Sequence, residues 1–317
     1  MQYRRLGDSR LDISVIGYGC WAMGKTFWGD DVVDEESLEA VRTSLDLGVT
    51  FFDTAQAYGY GHSERVLGRA LQGVPRAEVI IATKTGLQWD DREESIDRNS
   101  SPEYLAGSLE DSLERLQTDY VDLYQIHWPD ESVPIADSAA GMKQLLDAGT
   151  VRAVGVSNYN VQQMQQFMAV CPLHSLQPPY SMLTRDIEAD ILPFCRENHI
   201  GVLAYSPMAR GLLTGKYDET ASFPQTDGRA NSPMWQGDRL KRNVAAVNQM
   251  AGLARQHGKT VAQLALAWVT SQPGLTCALS GTKRPDQIRE TAAAGDWQLD
   301  DAILAQIDEI IRQNDAG

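Results

Sequence analysis

The sequence has few cysteines, few basic residues and no long hydrophobic run. Its four cysteines show no C-x-x-C spacing, which argues against a disulfide framework and against a zinc site. The 28 Lys and Arg residues face 43 Asp and Glu residues, so the formal net charge is −15. Binding to nucleic acid or to an anionic membrane needs a basic surface and is not expected. No segment approaches the roughly 18 apolar residues of a membrane span, and the N-terminus lacks the apolar core of a signal peptide. We therefore expect a cytoplasmic protein.

The length and composition fit one large α/β domain. The chain has 317 residues, of which 43% are hydrophobic and 22% are charged, close to the averages of globular proteins. No shift in composition marks a domain border. We predict a single domain over residues 1–317.

Short apolar runs alternate with longer amphipathic stretches, which is the pattern of parallel βαβ units. Strands are predicted at residues 15–19, 50–53, 79–84, 121–127, 151–157, 175–177, 202–205 and 276–279. Helices are predicted at residues 35–47, 63–71, 102–116, 135–148, 162–168, 187–198, 239–257, 261–271 and 285–294. This repeat without a second domain favours a (β/α)8 TIM barrel over a doubly wound sheet. No G-x-G-x-x-G sequence follows a predicted strand, which also argues against the doubly wound fold.

Three features lie outside the repeat. Residues 3–6 and 11–13 flank Gly7-Asp8-Ser9, which predicts an N-terminal β-hairpin that caps one end of the barrel. A C-terminal helix completes the predicted fold. Residues 218–237 contain Gly, Pro and Asp without a periodic pattern, and so long a loop is usually functional. We interpret it as a lid or a cofactor-covering loop.

Polar side chains end three consecutive predicted strands, at the barrel end where TIM-barrel chemistry takes place. These residues are Asp53, Lys84 and His127, and Tyr58 lies in the loop after Asp53. A phenol with a pKa near about 10 is a poor proton donor at neutral pH, so we expect the Lys84 ammonium to make it more acidic. Asp53 would keep Lys84 charged, and His127 would orient a carbonyl group or help to relay a proton. The cluster predicts a general acid aimed at a carbonyl oxygen.

Each of these four residues also has an ordinary structural explanation. The Tyr fits surface packing in a Gly-rich loop, the Lys fits a solvated strand end, and the His fits a packed corner. Their occurrence together at consecutive strand ends favours a site over packing alone. A metal is not predicted, because the other histidines do not pair with His127 at ligand spacing.

Several motifs agree with this interpretation and follow one another along the chain. They are Asp53-Thr54-Ala55-Gln56-Ala57-Tyr58-Gly59 with Ser63-Glu64, Ala82-Thr83-Lys84, Gln125-Ile126-His127-Trp128-Pro129, Gly155-Val156-Ser157-Asn158-Tyr159, and Tyr205-Ser206-Pro207 followed by Arg210-Gly211-Leu212-Leu213-Thr214-Gly215-Lys216. Together they resemble the aldo-keto reductase family over nearly the whole chain, and bacterial general-stress-type members most of all. The resemblance implies a barrel that binds NADP(H) in extended form and reduces aldehydes or ketones to alcohols, reversibly.

The resemblance also implies roles for individual residues. Tyr58 would be the acid, tuned by Lys84 and Asp53, and His127 would position the carbonyl. The nicotinamide carboxamide, which offers one acceptor and two donors, would be held by Ser157, Asn158 and Gln177, with Tyr205 stacked on the ring. Residues near the sugar would be Gly19 and Asp53. Residues near the pyrophosphate would be Ser206, Pro207, Met208, Arg210, Gly211, Leu212 and Lys216.

After the last predicted strand, glycine, two cations and a Pro-initiated helix suit a phosphate group. We expect Lys283 to meet the 2′-phosphate of NADP(H). Other residues assigned to this end of the cofactor are Gly281, Thr282, Gln287, Glu290 and Thr291, of which the last three also fit a plain helix surface. Many relatives have Ile-Pro-Gly-Ala-Arg-like residues where this chain has Leu279-Ser280-Gly281-Thr282-Lys283. Lys283 predicts NADPH as the preferred cofactor, and the departure from the relatives' residues leaves NAD open.

Aromatic residues in the loops after the strands could form an apolar substrate pocket or pack within a lid. They are Trp21, Trp28, Tyr60, Trp89 and Trp128. The predicted partner is a small carbonyl or alcohol substrate, whose identity the sequence does not indicate, and the oligomeric state is left open. Two other functions remain as alternatives: a redox-sensing regulatory barrel with little turnover, and a metal-assisted barrel hydrolase.

Overall fold

A computed structural model of the chain describes residues 1–25, 32–89 and 96–317. Its strands in chain order are β1 (Tyr3–Arg5), β2 (Asp12–Ser14), β3 (Ile16–Gly19), β4 (Phe51–Asp53), β5 (Ile80–Thr85), β6 (Leu87–Trp89), β7 (Ile96–Arg98), β8 (Val121–Ile126), β9 (Val151–Ser157), β10 (Ser175–Gln177), β11 (Gly201–Ala204) and β12 (Leu275–Gly281). Strands β3, β4, β5, β8, β9, β10, β11 and β12 close into a parallel barrel in that order. The predicted (β/α)8 TIM barrel is confirmed.

Helices connect the barrel strands on the outside. They are α1 (Asp34–Asp46), α2 (His62–Ala70), α3 (Pro102–Leu116), α4 (Ile135–Ala148), α5 (Val161–Met168), α6 (Ile191–Glu197), α7 (Gly237–Gln256), α8 (Val261–Ser271), α9 (Pro285–Ala292) and, at the C-terminal end, α10 (Asp301–Asn314). Several starts are fixed by local capping, since Asn160 and Thr260 each form a capping box. Within the described ranges, no helix has both the length and the apolar character needed to cross a bilayer.

Two parts of the chain differ from the predicted elements. The helix predicted at 187–198 is a 3-10 turn, Asp186–Glu188, followed by the shorter α6. Asp190 separates the two, because its side chain accepts a hydrogen bond from the N–H of Ile191 and starts a new helix there. The antiparallel hairpin of β6 and β7 was not predicted, and it lies directly after β5, on the same side of the barrel as the loop of Tyr58.

The predicted N-terminal hairpin is present as β1 and β2 and closes the barrel at the amino ends of the strands. Leu6, Leu11 and Ile13 are buried in one cluster with the apolar side chains of the barrel interior. Gly7, at the turn, has φ +51°, and a Cβ there would lie 2.4 Å from the carbonyl oxygen of His174. Only glycine allows this approach. With this end closed, the barrel opens to solvent at the carboxyl ends of its strands.

The barrel interior has an apolar layer below a polar layer. Residues two apart on a strand point to the same side, so each strand can contribute one side chain to the apolar layer and another to the polar layer. Phe51, Ala82 and Leu123 are fully buried in the apolar layer. Two positions further along β4, β5 and β8 lie Asp53, Lys84 and Gln125. The polar layer of the candidate site therefore lies directly above a buried apolar layer.

His174, just before β10, connects fold stability to pH. Its Nδ1 accepts a hydrogen bond of 3.0 Å from the N–H of Val154, and only a neutral imidazole has the lone pair for this. Burial lowers the pKa of His174, although the charge of Asp8 opposes this. The unfolded chain therefore binds a proton at a higher pH than the folded protein does. The contribution of His174 to stability is complete above the ordinary imidazole pKa and is lost as the pH falls below it.

Replacement of His174 by Asn removes the titration and keeps an oxygen that can accept the Val154 N–H. We expect the Tm of His174→Asn to fall less than that of the unaltered protein between about pH 7.5 and pH 5.5, across the ordinary imidazole pKa. The effect should stay below the roughly 1.4 kcal/mol per pH unit of one full proton, because the ring is partly exposed. Thermal unfolding followed by circular dichroism measures it, with the exposed His257→Asn as control. Equal acid sensitivity in all three proteins would contradict this account.

Candidate active site

The four residues predicted to act together do lie together at the open end of the barrel. Asp53 and Lys84 lie at the carboxyl ends of β4 and β5, Tyr58 lies in the loop after β4, and His127 directly follows β8. The rings of Tyr58 and His127 meet edge to face, with their centroids 5.7 Å apart. Asp53 and Lys84 are buried, whereas Tyr58 and His127 are partly accessible. The arrangement places the phenol and the imidazole at the accessible end of the barrel and the buried ion pair beneath them.

The Lys84 ammonium uses all three of its N–H groups. Nζ donates to Asp53 Oδ1 at 2.5 Å, to the carbonyl oxygen of Thr54 at 3.0 Å and to the Tyr58 hydroxyl oxygen at 3.1 Å. Burial acts to lower the pKa of Lys84, but the negative charge of Asp53 outweighs it, and the pKa is raised. Since the Tyr58 oxygen accepts a hydrogen from Nζ, its own proton is available to another acceptor. The lysine is thus a permanent cation that orients the phenol.

The expectation that Lys84 makes the Tyr58 phenol more acidic than usual is wrong in its net direction. Burial raises the pKa of Tyr58, and the Lys84 ammonium offsets this only in part, while the nearby Asp53 charge adds to the rise. The desolvation of a phenolate outweighs one favourable charge when that charge is itself neutralised by a carboxylate. Tyr58 is therefore fully protonated at neutral pH, as a proton donor has to be.

His127 is held as a neutral imidazole. Burial lowers its pKa well below the ordinary value, and the positive charge of Lys84 lowers it further. Its Nδ1 is buried and has no hydrogen-bond partner among the described residues. A neutral ring can orient a polar group through a hydrogen bond, but it has no surplus proton to give at neutral pH. Of the two roles expected from the sequence, the structure favours orientation.

Asp53 has a second set of partners that the sequence analysis missed. Its Oδ2 accepts hydrogen bonds from Gln125 Nε2 at 3.1 Å and from Gln177 Nε2 at 2.9 Å. Gln177 was expected to hold a nicotinamide carboxamide, and here its amide nitrogen is bound to the carboxylate. Gln125 was not predicted as a site residue. It lies two positions after the buried Leu123 on β8, and a polar residue at this inward-facing position was the signal that could have identified it.

The residues expected near a nicotinamide ring form one hydrogen-bonded group across three strand ends. Asn158 has a left-handed backbone, φ 62°, and its Nδ2 donates to Ser157 Oγ at 3.0 Å and to the carbonyl oxygen of His127 at 3.1 Å. Tyr205 donates its hydroxyl to Asn158 Oδ1 at 3.0 Å, and Ser157 donates to the Gln177 carbonyl oxygen at 2.7 Å. Strained backbone that is fixed by its surroundings is typical of functional sites.

The segment after β11 contains the residues expected near a pyrophosphate. Ser206 and Arg210 have positive φ values of 52° and 53°, and Gly211 has φ +96°. The remaining predicted positions are Pro207, Met208, the buried Leu212 and the exposed Lys216. Arg210 Nη1 donates to the carbonyl oxygen of Gly228 at 3.1 Å, which connects this segment to the long crossover.

The long crossover is ordered by one arginine rather than being structureless. Arg229 pairs with Asp227 at 2.6 Å and donates to the Tyr217 hydroxyl at 2.7 Å. Its guanidinium also lies 4.0 Å from the ring centre of Phe223, and Trp235 packs edge to face against that ring. The cluster holds the turn at Gly228 next to Arg210. Whether the segment covers a ligand stays a prediction.

The residues expected at the 2′-phosphate lie between β12 and α9. Gly19 and Gly281 are paired in register, so this segment lies beside the first barrel strand. Lys283 is half-buried, and its N–H donates to Gln287 Oε1 at 3.0 Å. Thr291 is buried and donates to the Gln287 carbonyl oxygen, whereas Glu290 is exposed.

Two buried hydroxyls stand out in the same segment. The Oγ of Ser280 and the Oγ1 of Thr282 have no hydrogen-bond partner among the described residues. Thr282 was predicted as a site residue and Ser280 was not. Buried hydroxyls without a hydrogen-bond partner are unfavourable unless a ligand supplies that partner.

Of the predicted substrate-pocket residues, four are described and Trp28 lies outside the described residues. The Trp21 ring centre lies 6.3 Å from that of Tyr58, and the Tyr60 and Trp89 rings are 5.6 Å apart. Trp128 follows His127 and is 37% exposed, with the Arg98 guanidinium 5.5 Å from its ring centre. Of these rings, Trp21 is the one shown beside the phenol, while Trp128 follows the imidazole in the chain. In the described part of the chain, no group of His, Cys, Asp and Glu residues is suited to hold a metal ion.

The sequence pattern of the aldo/keto reductase family matches residues 15–312. The chain belongs to the aldo/keto reductase family. It is 43% identical over 314 residues to the aldo-keto reductase YhdN of Bacillus subtilis (strain 168). The aligned region covers 98% of this chain and 94% of that protein. It is 33% identical over 309 residues to the NADH-specific methylglyoxal reductase of Escherichia coli (strain K12), covering 94% of each. Members of this family are oxidoreductases that reduce carbonyl groups.

Solved structures of related proteins have the same fold. A glycerol dehydrogenase from Gluconobacter oxydans superposes with a TM-score of 0.92 at 37% identity, covering 98% of this chain and 95% of that one. An aldo/keto reductase from Klebsiella pneumoniae, in complex with NADP and acetate, superposes with a TM-score of 0.76 at 29% identity, covering 97% and 94%. Cofactor preference thus differs among the relatives of this aldo/keto reductase.

A buried carboxylate connects the two parts of this reductase that hold the phenol and the ammonium. Glu64, on α2, accepts a hydrogen bond of 2.6 Å from the Thr83 hydroxyl and pairs with Arg115 Nε at 2.6 Å. Helix α2 follows the loop of Tyr58, and Thr83 precedes Lys84 on β5. Glu64 is fully buried, so its charge depends on Arg115 for compensation.

Removal of Arg115 should therefore leave an uncompensated buried charge. We expect Arg115→Leu to lower the free energy of unfolding by about 3–5 kcal/mol. Lys143→Leu, which breaks the exposed pair of Lys143 with Asp147, is the control and should cost far less, because solvent screens an exposed pair. Urea unfolding at neutral pH measures both. Similar losses in the two variants would show that Glu64 does not depend on this pair.

Proposed function

We propose that this aldo/keto reductase is an NADPH-dependent reductase of aldehydes or ketones that also oxidises the corresponding alcohols, with Tyr58 as the proton donor. The observation that carries the proposal is the Lys84 ammonium, whose three N–H groups go to Asp53, Thr54 and the Tyr58 oxygen. The hydroxyl proton of Tyr58 is left for a group in the open cavity. This is the geometry of a general acid.

The protein residues would handle the proton and the carbonyl oxygen. A bound nicotinamide cofactor supplies the hydride. The neutral His127 imidazole orients the carbonyl group by a hydrogen bond, and Tyr58 gives its proton to the carbonyl oxygen as the Tyr58 O–H bond breaks. The adjacent Lys84 ammonium stabilises the phenolate that forms, and Asp53 keeps that ammonium in place. Interactions that are stronger with the phenolate than with the phenol lower the barrier.

The residues around the mouth fit a dinucleotide. Ser157, Asn158 and Gln177 would hold the carboxamide, with Tyr205 at the ring, and the positive-φ segment around Arg210 would bind the pyrophosphate. At the other end, the unpaired hydroxyls of Ser280 and Thr282 lie next to the start of α9. A phosphate would supply the missing acceptors, and the positive end of the helix favours an anion.

The preference for NADPH over NADH is also part of the proposal. Lys283 and Arg284 bring two positive charges to this segment in a protein of net charge −15. A 2′-phosphate is the feature that distinguishes the two cofactors, and a charge-assisted hydrogen bond to it adds affinity. One relative is named NADH-specific and a related structure contains NADP, so family membership alone does not decide the cofactor.

The role of Tyr58 is tested by Tyr58→Phe, which removes the hydroxyl and keeps the ring. We expect kcat for an aldehyde to fall by about 10²–10⁴-fold, the usual share of a general acid, with the affinity for NADPH almost unchanged. Steady-state kinetics and NADPH fluorescence titration measure the two quantities. Tyr120→Phe, at the closed end of the barrel, is the control and should keep full activity. Full turnover in Tyr58→Phe would refute the proposed role.

The phosphate assignment is tested by Lys283→Met, which removes the ammonium group and keeps an unbranched side chain that is one atom shorter. We expect the Kd for NADPH to rise about tenfold or more, as the loss of a charge-assisted hydrogen bond implies, and the Kd for NADH to change little. Fluorescence titration with both cofactors measures this, with the exposed Lys241→Met as control. An equal change for both cofactors would remove Lys283 from the phosphate site.

A further inference from the structure

Gln125 is a fully buried polar residue on β8 that lies against the predicted proton-donor group. Its register partner on β5 is Lys84, and its neighbour on β9 is Gly155. A Cβ at Gly155 would come within 3.0 Å of Gln125 Cγ and 2.2 Å of Ser175 Oγ. The absence of a side chain at position 155 therefore leaves the space that the glutamine occupies.

Both ends of the Gln125 amide are engaged. Nε2 donates to Asp53 Oδ2 at 3.1 Å, and Oε1 accepts a hydrogen from Gln177 Nε2 at 3.3 Å. Gln177 Nε2 donates to the same Asp53 oxygen at 2.9 Å. Because a carboxylate oxygen only accepts and an amide nitrogen only donates, this ring of contacts fixes the orientation of both amides.

The two carboxylate oxygens of Asp53 thus have different hydrogen-bond partners. Oδ1 binds the Lys84 ammonium, and Oδ2 is held by two neutral amides. Without a donor at position 125, Oδ2 would keep only the hydrogen bond from Gln177, and the carboxylate could turn to offer both oxygens to Lys84. Such a turn would draw Nζ towards Asp53 and away from the Tyr58 hydroxyl, 3.1 Å from it in the structure.

We propose that Gln125 is a positioning residue for the proton transfer: its amide holds Asp53 Oδ2 so that Lys84 remains aligned with Tyr58. This inference rests on the proposed function of Tyr58. Gln125 does not touch the reacting atoms, and it acts through Asp53 and Lys84. It also couples the proton donor to Gln177, the residue assigned to the nicotinamide side.

The first test is Gln125→Leu, which keeps the size and removes the donor. We expect kcat to fall about tenfold or more while KM for the aldehyde changes by less than about threefold, because alignment matters chiefly in the transition state. Asn243→Leu is the control, since Asn243 is a fully buried amide on α7 with hydrogen bonds to Met234 and Gly317. It should lower the Tm without lowering kcat. A kcat for Gln125→Leu within about twofold of the unaltered value would overturn the proposal.

The second test is Gln125→Glu, whose carboxyl group can replace the amide only when it is protonated. The charged groups that face position 125 are Asp53 from β4 and Lys84 from β5, while β9 and β10 present the uncharged Gly155 and Gln177. Burial next to Asp53 favours the protonated acid, whose O–H donates to Asp53 Oδ2. We therefore expect nearly normal kcat at acidic pH and a loss as the pH rises, in a step that the unaltered protein lacks.

A stability measurement separates this inference from the proposed function. Because the new acid is more easily protonated in the folded protein than in the unfolded chain, the Tm of Gln125→Glu should also fall as the pH rises. The proposal requires kcat to fall with its midpoint near the pH at which the decline of the Tm levels off, because both then report the pKa of the new acid in the folded protein. A Tm that titrates while kcat does not shows a purely structural role, and loss of activity without recovery in acid refutes the donor role. If neither titrates, position 125 does not contact Asp53 as described. If Tyr58→Phe proves active, the proposed function fails, whereas the Tm profile still reports on the contact with Asp53.

Discussion

The buried ammonium of Lys84 is the interaction on which the candidate site depends. A charge inside a barrel is costly unless it is paired and its hydrogens are all accepted, and Lys84 meets both conditions through Asp53, the Thr54 carbonyl and Tyr58. These partners come from one strand and the loop that follows it. The pairing therefore fixes the path of that loop, and with it the position of the phenol at the mouth.

The polar layer is stable because of what surrounds it. Below it, Phe51, Ala82 and Leu123 exclude water, and the N-terminal hairpin closes the barrel behind them. Around it, Glu64 and Arg115 tie the helix after the Tyr58 loop to the strand of Lys84. Low polarity strengthens each hydrogen bond in the layer and also makes any unpaired member expensive. The low polarity around the site thus makes it rigid, and it also makes the loss of any one hydrogen-bonding side chain costly.

The sequence predicted most strands and helices and the strand-end residues Asp53, Lys84 and His127, because each of these is a local signal: an apolar run, an amphipathic period, or a polar residue where a run ends. It did not predict the contact of Gln125 with Asp53, which depends on barrel closure to bring β8 and β4 together across the interior. It also missed Ser280, since nothing in the sequence shows that a strand-end hydroxyl lacks a partner. The β6–β7 hairpin was missed because its residues are exposed or half-buried and form no apolar run.

The direction in which the Tyr58 pKa is shifted also depends on the folded structure, and it bears on the mechanism. From residue types alone, a neighbouring ammonium predicts an acidified phenol. In the folded protein, burial raises the pKa of Tyr58, and the Asp53 charge weakens the help that Lys84 gives. A proton donor, however, gains nothing from losing its proton before the substrate arrives. What speeds a reaction is the difference between the environments of phenol and phenolate when the proton moves, and in the proposed mechanism the fixed ammonium beside the oxygen would provide that difference at the moment of transfer.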